Sequence, residues 1–502
     1  MNVLFGGSPE TTPLSDTDVQ FLDTTLRDGE QAPGVSLTPS EKVDIARKLD
    51  TAGVSTIEAG SACTGAGERE TISRVTSEGL DARVTSFCRG IRGDIDLALD
   101  CDVDGINLVV PASERHIERK VGTSRGGVVE TTVELVEYAR EHGLWVEVLG
   151  EDGSRADPEF LTELMGAAVD AGADRICYCD TVGYATPEHT GAVVSRLAEL
   201  GPTSTHTHDD LGLAVANAFA SIRAGADLVH ATINGIGERA GNVALEEVAI
   251  ALAEGYDNET VDTSGLYDLG RTVADATGIA LAPNKAVVGE NAFTHESGIH
   301  TDGQLKDDAM YEPYPPERVG RERRLALGKH TGRAGVAATL AEHDVDASDA
   351  DVAEITDRVT DLGDQGKRVT DADVLALAET VQGRERERRV ELEDLTAASG
   401  NATPTASVRL RVDGDERTAS GTGSGPVDAA VAAVREALGP GRDATLDSYH
   451  VDAITGGTDA LVTVEVEMSR DAQSVSVAAS HADITRASVE AMVDALDRLL
   501  AN

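Results

Sequence analysis

Eight short runs rich in β-branched and apolar residues punctuate the first half of the chain, each followed by a stretch of helical period. They are "VQFLDTT" from Val19, "VSTIEAG" from Val54, "RVTSFCR" from Arg83, "GINLVVP" from Gly105, "LWVEVLGE" from Leu144, "RICYCDT" from Arg175, "TSTHTHDD" from Thr203 and "LVHATINGIG" from Leu228. Strands alternating with helices build parallel βα units, and eight such units in roughly 250 residues close into a (β/α)8 barrel. An open doubly wound sheet would carry G-x-G-x-x-G after its first strand. Here the glycines of "GIGERAG" stand at Gly235, Gly237 and Gly241, off that spacing and after the last run. The predicted fold class is α/β, a TIM barrel over residues 18–282 behind an N-terminal tail over 1–17.

The strand rhythm stops at Ala282, and helical segments with charged turns take over up to Arg389. A linker and helical subdomain are expected over 283–390, with "GRERERR" near its end as a solvated helix face. Beyond it a pattern repeats. "ASVRLRV" alternates Val408, Leu410 and Val412 before a helical stripe of Val427, Val431, Val434 and Leu438. "ALVTVEVEM" alternates Val462, Val464, Val466 and Met468 before Val489, Val493, Leu496 and Leu500. Two β-β-α-like units in tandem predict a C-terminal α+β domain over 391–502, poor in reactive groups and suited to regulation or dimerisation.

Charge and hydropathy exclude several partners. Asp plus Glu number 89 against 43 Lys plus Arg, a formal charge of -46, which repels a phosphate backbone and argues against nucleic acid. Acid in this excess accompanies either disorder or a salt-rich cytoplasm, where a Debye length of about 3 Å at 1 M screens self-repulsion. The apolar periodicity running through the chain favours salt. The longest apolar runs, such as Val248–Ala253, fall far short of the roughly 20 residues of a membrane span. "MNVLFGGSPETTPLSD" lacks the basic, apolar and cleavage regions of a secretory signal. A cytoplasmic location with no membrane partner is expected. Cys63, Cys88, Cys101, Cys177 and Cys179 are odd in number and lack zinc-finger spacing, which suits reduced thiols. Cys177 and Cys179, two apart on one strand, are read as packing residues.

In a barrel of this type chemistry sits at the C-terminal strand ends. Polar residues there are Arg27, Asp28 and Glu30 after the first run, Glu58 in the second, Glu151 and Asp152 after the fifth, Asp180 and Thr181 after the sixth, and His206 and His208 in the seventh. Alternate strand residues face the same way, so both imidazoles point to the mouth. With Asp28 they make an N/O set for a divalent cation, with positions open for substrate. Each residue also has a plainer reading. An H-x-H pair is more often two hydrogen-bonded core histidines, Asp209 and Asp210 suit a helix cap, and Glu58 and Asp180 suit hydrogen bonding at the mouth. Acid, hydroxyl, guanidinium and imidazole groups meeting at the ends of at least five strands tip the balance to a metal-dependent site. After the last strand "NGIGERAGN" carries Arg239 and Asn242 where such barrels often bind phosphate, although its glycines equally suit tight turns.

Together, "LDTTLRDGEQAPGVSLT", "IEAGSA", "DTVGYATP", "HTHDDLGLAVANA", "NGIGERAGNVALEEV", "NKAVVGENAFTHESGIHTDG" and "LGKHTGR" resemble the α-isopropylmalate synthase, citramalate synthase and homocitrate synthase family, over nearly the whole chain. The resemblance implies an acyltransferase that condenses acetyl-CoA with a small 2-oxo acid and hydrolyses the thioester. It also implies a homodimer using a divalent metal cation (Mn2+, Mg2+ or Zn2+). By resemblance, Asp28, His206, His208 and Asn242 belong to the metal shell, Arg27 serves the keto oxygen, and Thr181 holds the substrate carboxylate. Glu151, His300 and Tyr311 match the residues that make the acetyl methyl group nucleophilic, His300 and Tyr311 by reaching the other subunit's site. Leu108 and Leu149 are expected to line the pocket and Arg239 to bind substrate.

"EAGSACTGAGERE" and "EDGSR" resemble citramalate synthases, which use pyruvate, where isopropylmalate synthases would show "GFP"; Asp28 after Arg27 departs from homocitrate synthases. The tandem domain resembles an allosteric module for an end-product amino acid, isoleucine for a citramalate synthase and leucine for an isopropylmalate synthase. The alternatives are a 2-isopropylmalate synthase acting on 2-oxoisovalerate, a metal-dependent lyase of the same barrel, and a silent amino-acid sensor. The lyase does not need the tandem domain, and the sensor does not need Arg27, Asp28, Glu151, His206, His208, His300 and Tyr311 intact.

Overall fold

The computed structural model describes residues 14–307, 309–364, 369–383, 388–400, 403–439, 444–453, 462–471 and 473–500. Strands β1 (Gln20–Asp23), β2 (Thr56–Gly60), β3 (Arg83–Arg89), β4 (Gly105–Pro111), β5 (Trp145–Glu151), β6 (Arg175–Asp180), β7 (Thr203–Thr207) and β8 (Leu228–Ala231) close in sequence order into a barrel. Every neighbouring pair is parallel, β8 returning to β1. The predicted (β/α)8 barrel is the observed one. Between strands run α1 (Pro39–Thr51), α2 (Ala66–Thr76), α3 (Arg92–Leu99), α4 (Arg125–Glu141), α5 (Pro158–Asp170), α6 (Pro187–Ala198) and α7 (Ala214–Arg223), and α8 (Leu245–Tyr256) follows β8.

The helix starts are written in the sequence. Thr38 accepts from the Glu41 amide while the Glu41 side chain returns to the Thr38 amide, with Pro39 opening α1; a proline at this point has no amide hydrogen to waste. Asp157–Pro158 and Thr186–Pro187 repeat the capping side chain and the proline, without the return bond, for α5 and α6. α1 then buries Val43, Ile45, Ala46 and Leu49, the stripe expected of an amphipathic helix on a sheet.

Bonds across the lumen reveal which strand residues face inward. Asn107 of β4 donates to Glu58 of β2 over 2.7 Å, and Ser204 and His230 of β7 and β8 reach Glu147 of β5. By alternation Leu108, next to Asn107, points outward into the core between strands and helices, where it is fully buried. The expectation that Leu108 lines the pocket is therefore corrected: Val109 takes the inner face and packs with Leu149, Cys177 and Cys179.

One buried carboxyl on β1 carries a pH signature. Asp23 is fully buried and accepts from the Thr25 amide and hydroxyl at 2.9 and 3.0 Å. Burial, with added repulsion from Glu246 and Glu58, raises it to about 7 against those two bonds. A carboxyl raised in the folded state contributes nothing adverse below its unfolded value of 3.8, and stability is lost as pH climbs from there to about 7. The loss is roughly 4 kcal/mol at about 1.4 kcal/mol per pH unit. Asp23→Asn is expected to raise the thermal midpoint at pH 8 far more than at pH 4.5; equal shifts at both pH values would refute this.

The compact barrel unit runs through Phe293 and takes in Tyr314–Glu322, where Arg321 stacks on Tyr267 at 4.6 Å. The second unit comprises Thr294–Pro313 and the chain from Arg323 onward. In it, helices Arg333–Glu342, Asp349–Asp364 and Asp371–Val381 share a core of Val336, Ile355, Val359 and Val374. The repeat follows, with a difference from expectation: among the described residues each copy has three strands, not two. Val390–Ala398, Thr405–Val412 and Asp415–Thr422 precede helix Pro426–Leu438; Thr445–Ala453, Val462–Arg470 and Gln473–His481 precede helix Ile484–Leu499. The first strand of each copy is an edge strand; Val390–Ala398 is mostly half-buried or exposed, so its apolar alternation is weak. Most of "GRERERR", and residues 1–13 of the expected tail, lie outside the described residues. No helix among the described residues is long and apolar enough to cross a membrane.

Candidate active site

The turn after β1 carries Arg27 and Asp28, both nearly buried at 9% and 2% exposure. Glu58 of β2 holds the guanidinium, accepting from Arg27 Nε at 2.5 Å, from Thr24 Oγ1 at 2.6 Å and from Asn107. Arg27 also lies over the Phe87 ring at 4.5 Å and 3.2 Å from Asp28 Oδ1. Asp28 Oδ2 stands 3.4 Å from His206 Nε2 and 3.7 Å from His208 Nε2, and the two imidazole nitrogens are 3.3 Å apart. These three residues, all buried, form a candidate metal site.

The donor set fits a divalent cation on chemical grounds. Ligands held by bonds of about 2.1 Å in a tetrahedron stand about 3.4 Å from one another, the spacing observed here. His208 Nδ1 lies 3.2 Å from the Gly241 carbonyl, which can only accept, so Nε2 keeps its lone pair. Burial pushes His206 down despite the pull of Asp28, and burial with the neighbouring His206 takes His208 to about 4. Two neutral rings thus aim at one point. Burial would raise Asp28, but the Arg27 guanidinium leads the opposing effects and the carboxyl is held well below the usual range. Asn242, bridged to His208, donates to Asp28 Oδ2 at 2.9 Å, while its Oδ1 is buried without a hydrogen-bond partner. Both acid and amide face the same cluster.

The remaining residues sort differently. Glu151 has His116 Nδ1 at 3.1 Å from one carboxylate oxygen, without hydrogen-bond alignment, and Lys120 on the other. Thr181 Oγ1 accepts from the Asp152 amide at 2.8 Å. Asp152 is buried in a left-handed conformation, φ 62°, and ties Ser113 and Arg155 together. Arg239 closes the loops: it grips Asp210 with two nitrogens at 2.8 and 2.9 Å, approaches Glu238 and donates to the Thr181 carbonyl. These bonds commit the guanidinium chiefly to the loops, while the side chain stays 41% exposed. The glycines of this loop serve a tight turn, since a Cβ on Gly241 (φ +97°) would sit 2.0 Å from the Gly235 carbonyl oxygen. Asp209 accepts from the Ala214 amide at the start of α7, and Asp180 accepts from the amides of Tyr184 and Ala185. His300 and Tyr311 belong to the second unit, where their rings stack at 4.3 Å and both are exposed.

Sequence reasoning missed His116, Lys120, Glu147 and His230. Alternation was the available signal: Glu147 shares a face with Leu149 and Glu151, and His230 falls on the inner face of β8.

Comparison with known proteins agrees with this picture. Residues 18–273 match the HMGL-like family, 287–367 match "Homocitrate synthase post-HMGL domain-like", and 368–500 match the "LeuA allosteric (dimerisation) domain". The chain is 53% identical to "Putative (R)-citramalate synthase CimA" of Methanothermobacter thermautotrophicus, over 96% of this chain and 98% of the relative. It is 47% identical to the (R)-citramalate synthase CimA of Methanocaldococcus jannaschii, over 96% and 99%. A solved hydroxymethylglutaryl-CoA lyase from Pseudomonas aeruginosa is 24% identical with a TM-score of 0.48, matching 53% of this chain and 95% of its own. With a closed barrel, a buried Asp-His-His cluster at its mouth and near-full-length identity of about half, the chain belongs to the HMGL-like family, among the (R)-citramalate synthase CimA proteins.

Proposed function

We propose that this chain condenses acetyl-CoA with pyruvate, giving (R)-citramalate and free CoA on the route to isoleucine. The observation that carries the reading is the convergence of Asp28, His206 and His208 beside the buried Arg27. A divalent cation held there, Mn2+, Mg2+ or Zn2+, supplies Lewis acidity to the keto carbonyl and a chelation point for a 2-oxo acid. Asn242 completes its shell. Arg27, fixed by Glu58 and Phe87, offsets charge growing on the keto oxygen, and Thr181 holds the substrate carboxylate through its hydroxyl hydrogen, its oxygen being taken by the Asp152 amide.

Glu151 removes a proton from the acetyl methyl group, assisted by His300 and Tyr311 of the other subunit in a homodimer. The methyl carbon bonds to the keto carbon, the keto oxygen gains a proton, and water cleaves the thioester to release the thiol. Leu149 and Val109 of the inner face, packed with Cys179, keep the pocket small enough for pyruvate; one methylene more is worth only about 1 to 3 kcal/mol in such a pocket. The C-terminal domain binds isoleucine as feedback effector, and the excess acid suits a salt-rich cytoplasm. In concentrated KCl with Mn2+ or Mg2+, thiol release from acetyl-CoA is expected with pyruvate and to be at least tenfold slower with 2-oxoisovalerate or 2-oxoglutarate, a ratio of about 1.4 kcal/mol. Faster release with 2-oxoisovalerate would make the chain an isopropylmalate synthase, and no release with any of them would dismiss condensation.

A further inference from the structure

Beneath the Asp28–His206–His208 cluster the lumen departs from the bulky branched filling of such barrels. Glu147 and His230 are both fully buried, with His230 Nε2 at 3.1 and 3.0 Å from the two carboxylate oxygens and the Ser204 hydroxyl donating to the same group. Removing two charges from water costs more than their attraction often returns, and well-packed apolar replacements are frequently neutral or stabilising. Stability alone therefore does not explain the pair.

Its position does. The His230 ring meets the His206 ring edge-on, centroids 5.5 Å apart at 81°, and Ser204 sits two residues before His206 on the same face of β7. A ligating histidine usually anchors its second ring nitrogen on a carboxylate or carbonyl, as His208 does on Gly241. His206 Nδ1 has no hydrogen-bond partner although it is buried. The contact the His206 ring does make on this side is the edge-on one with the His230 ring. Glu147, Cys177 and His230 also bring ligand atoms within 4.8 Å of one another, but Glu147 and His230 Nε2 are already bonded to each other and the Cys177 thiol lies 4.0 Å from the same nitrogen.

We propose that the Glu147–His230 ion pair is the positioning device for His206, fixing its ring so that Nε2 faces Asp28 and His208. The inference rests on the metal reading above. The test is Mn2+ binding by isothermal titration to the full chain, set beside the thermal midpoint of each variant. Loss of an outer partner typically weakens metal binding about 10- to 100-fold. Glu147→Gln and the apolar double variant Glu147→Met/His230→Leu are expected to show a rise of this size, the double variant keeping or raising its thermal midpoint. A purely structural pair would move the midpoint and not the affinity. Ser204→Ala, which removes one hydrogen bond and no charge, is expected to give a smaller rise and serves where the double variant does not fold. Folded variants that bind Mn2+ as tightly as wild type overturn the inference alone. A wild type that takes up no Mn2+ overturns the metal reading and this inference together.

Discussion

His208→Ala is expected to abolish thiol release while the barrel stays folded. The ring is buried, and its Nε2 stands 3.3 Å from His206 Nε2 and 3.7 Å from Asp28. Loss of a partner behind a ligand already costs about 10- to 100-fold, so loss of the ligand should exceed 100-fold. The fold loses less: the Gly241 carbonyl gives up its ring partner but still accepts from the Asp209 amide at 3.0 Å, a matter of about 0.5 to 1.5 kcal/mol. Thiol release and the thermal midpoint measured on the same preparation separate the two effects. Turnover within tenfold of wild type would remove His208 from the metal shell.

The second large effect is expected of Glu151→Gln, which keeps shape and removes the basic oxygen. Proton transfer by a positioned side chain is worth about 100- to 10,000-fold, and kcat should fall within that range while KM for pyruvate holds. His116 and Lys120 each face one carboxylate oxygen of Glu151, which orients the group at the mouth. Exchange of the acetyl methyl protons with deuterated solvent reads the same step directly and should stop. A variant that keeps both kcat and exchange would transfer the proton abstraction to His300 or Tyr311.

The barrel was legible because its signals are local. Eight β-rich runs, capping pairs such as Thr38 with Glu41, and prolines at helix starts each act within a few residues. The Asp28–His206–His208 cluster was legible for a related reason: His206 and His208 are two apart, and Asp28 lies in the turn after the first strand, which closes against the eighth. Where two faces of one strand compete, sequence spacing was a poorer guide. Leu108 and Val109 are both apolar, and only the Asn107–Glu58 bond across the lumen decides that Val109 is the inner one. The edge strands Val390–Ala398 and Thr445–Ala453 escaped because half-exposed strands have little apolar alternation to display.

The sequence by itself determined the βα rhythm, the tandem terminal repeat and the residue types able to ligate a cation, since periodicity, capping and side-chain chemistry are properties of neighbours along the chain. Only the tertiary structure decided that Arg239 spends its donors on Asp210 and Thr181, that Glu151 faces His116 and Lys120, and that Glu147 and His230 pair beneath His206. Those partners are 29 to 83 residues apart, and it is closure of the barrel, not spacing along the chain, that brings their charges within reach.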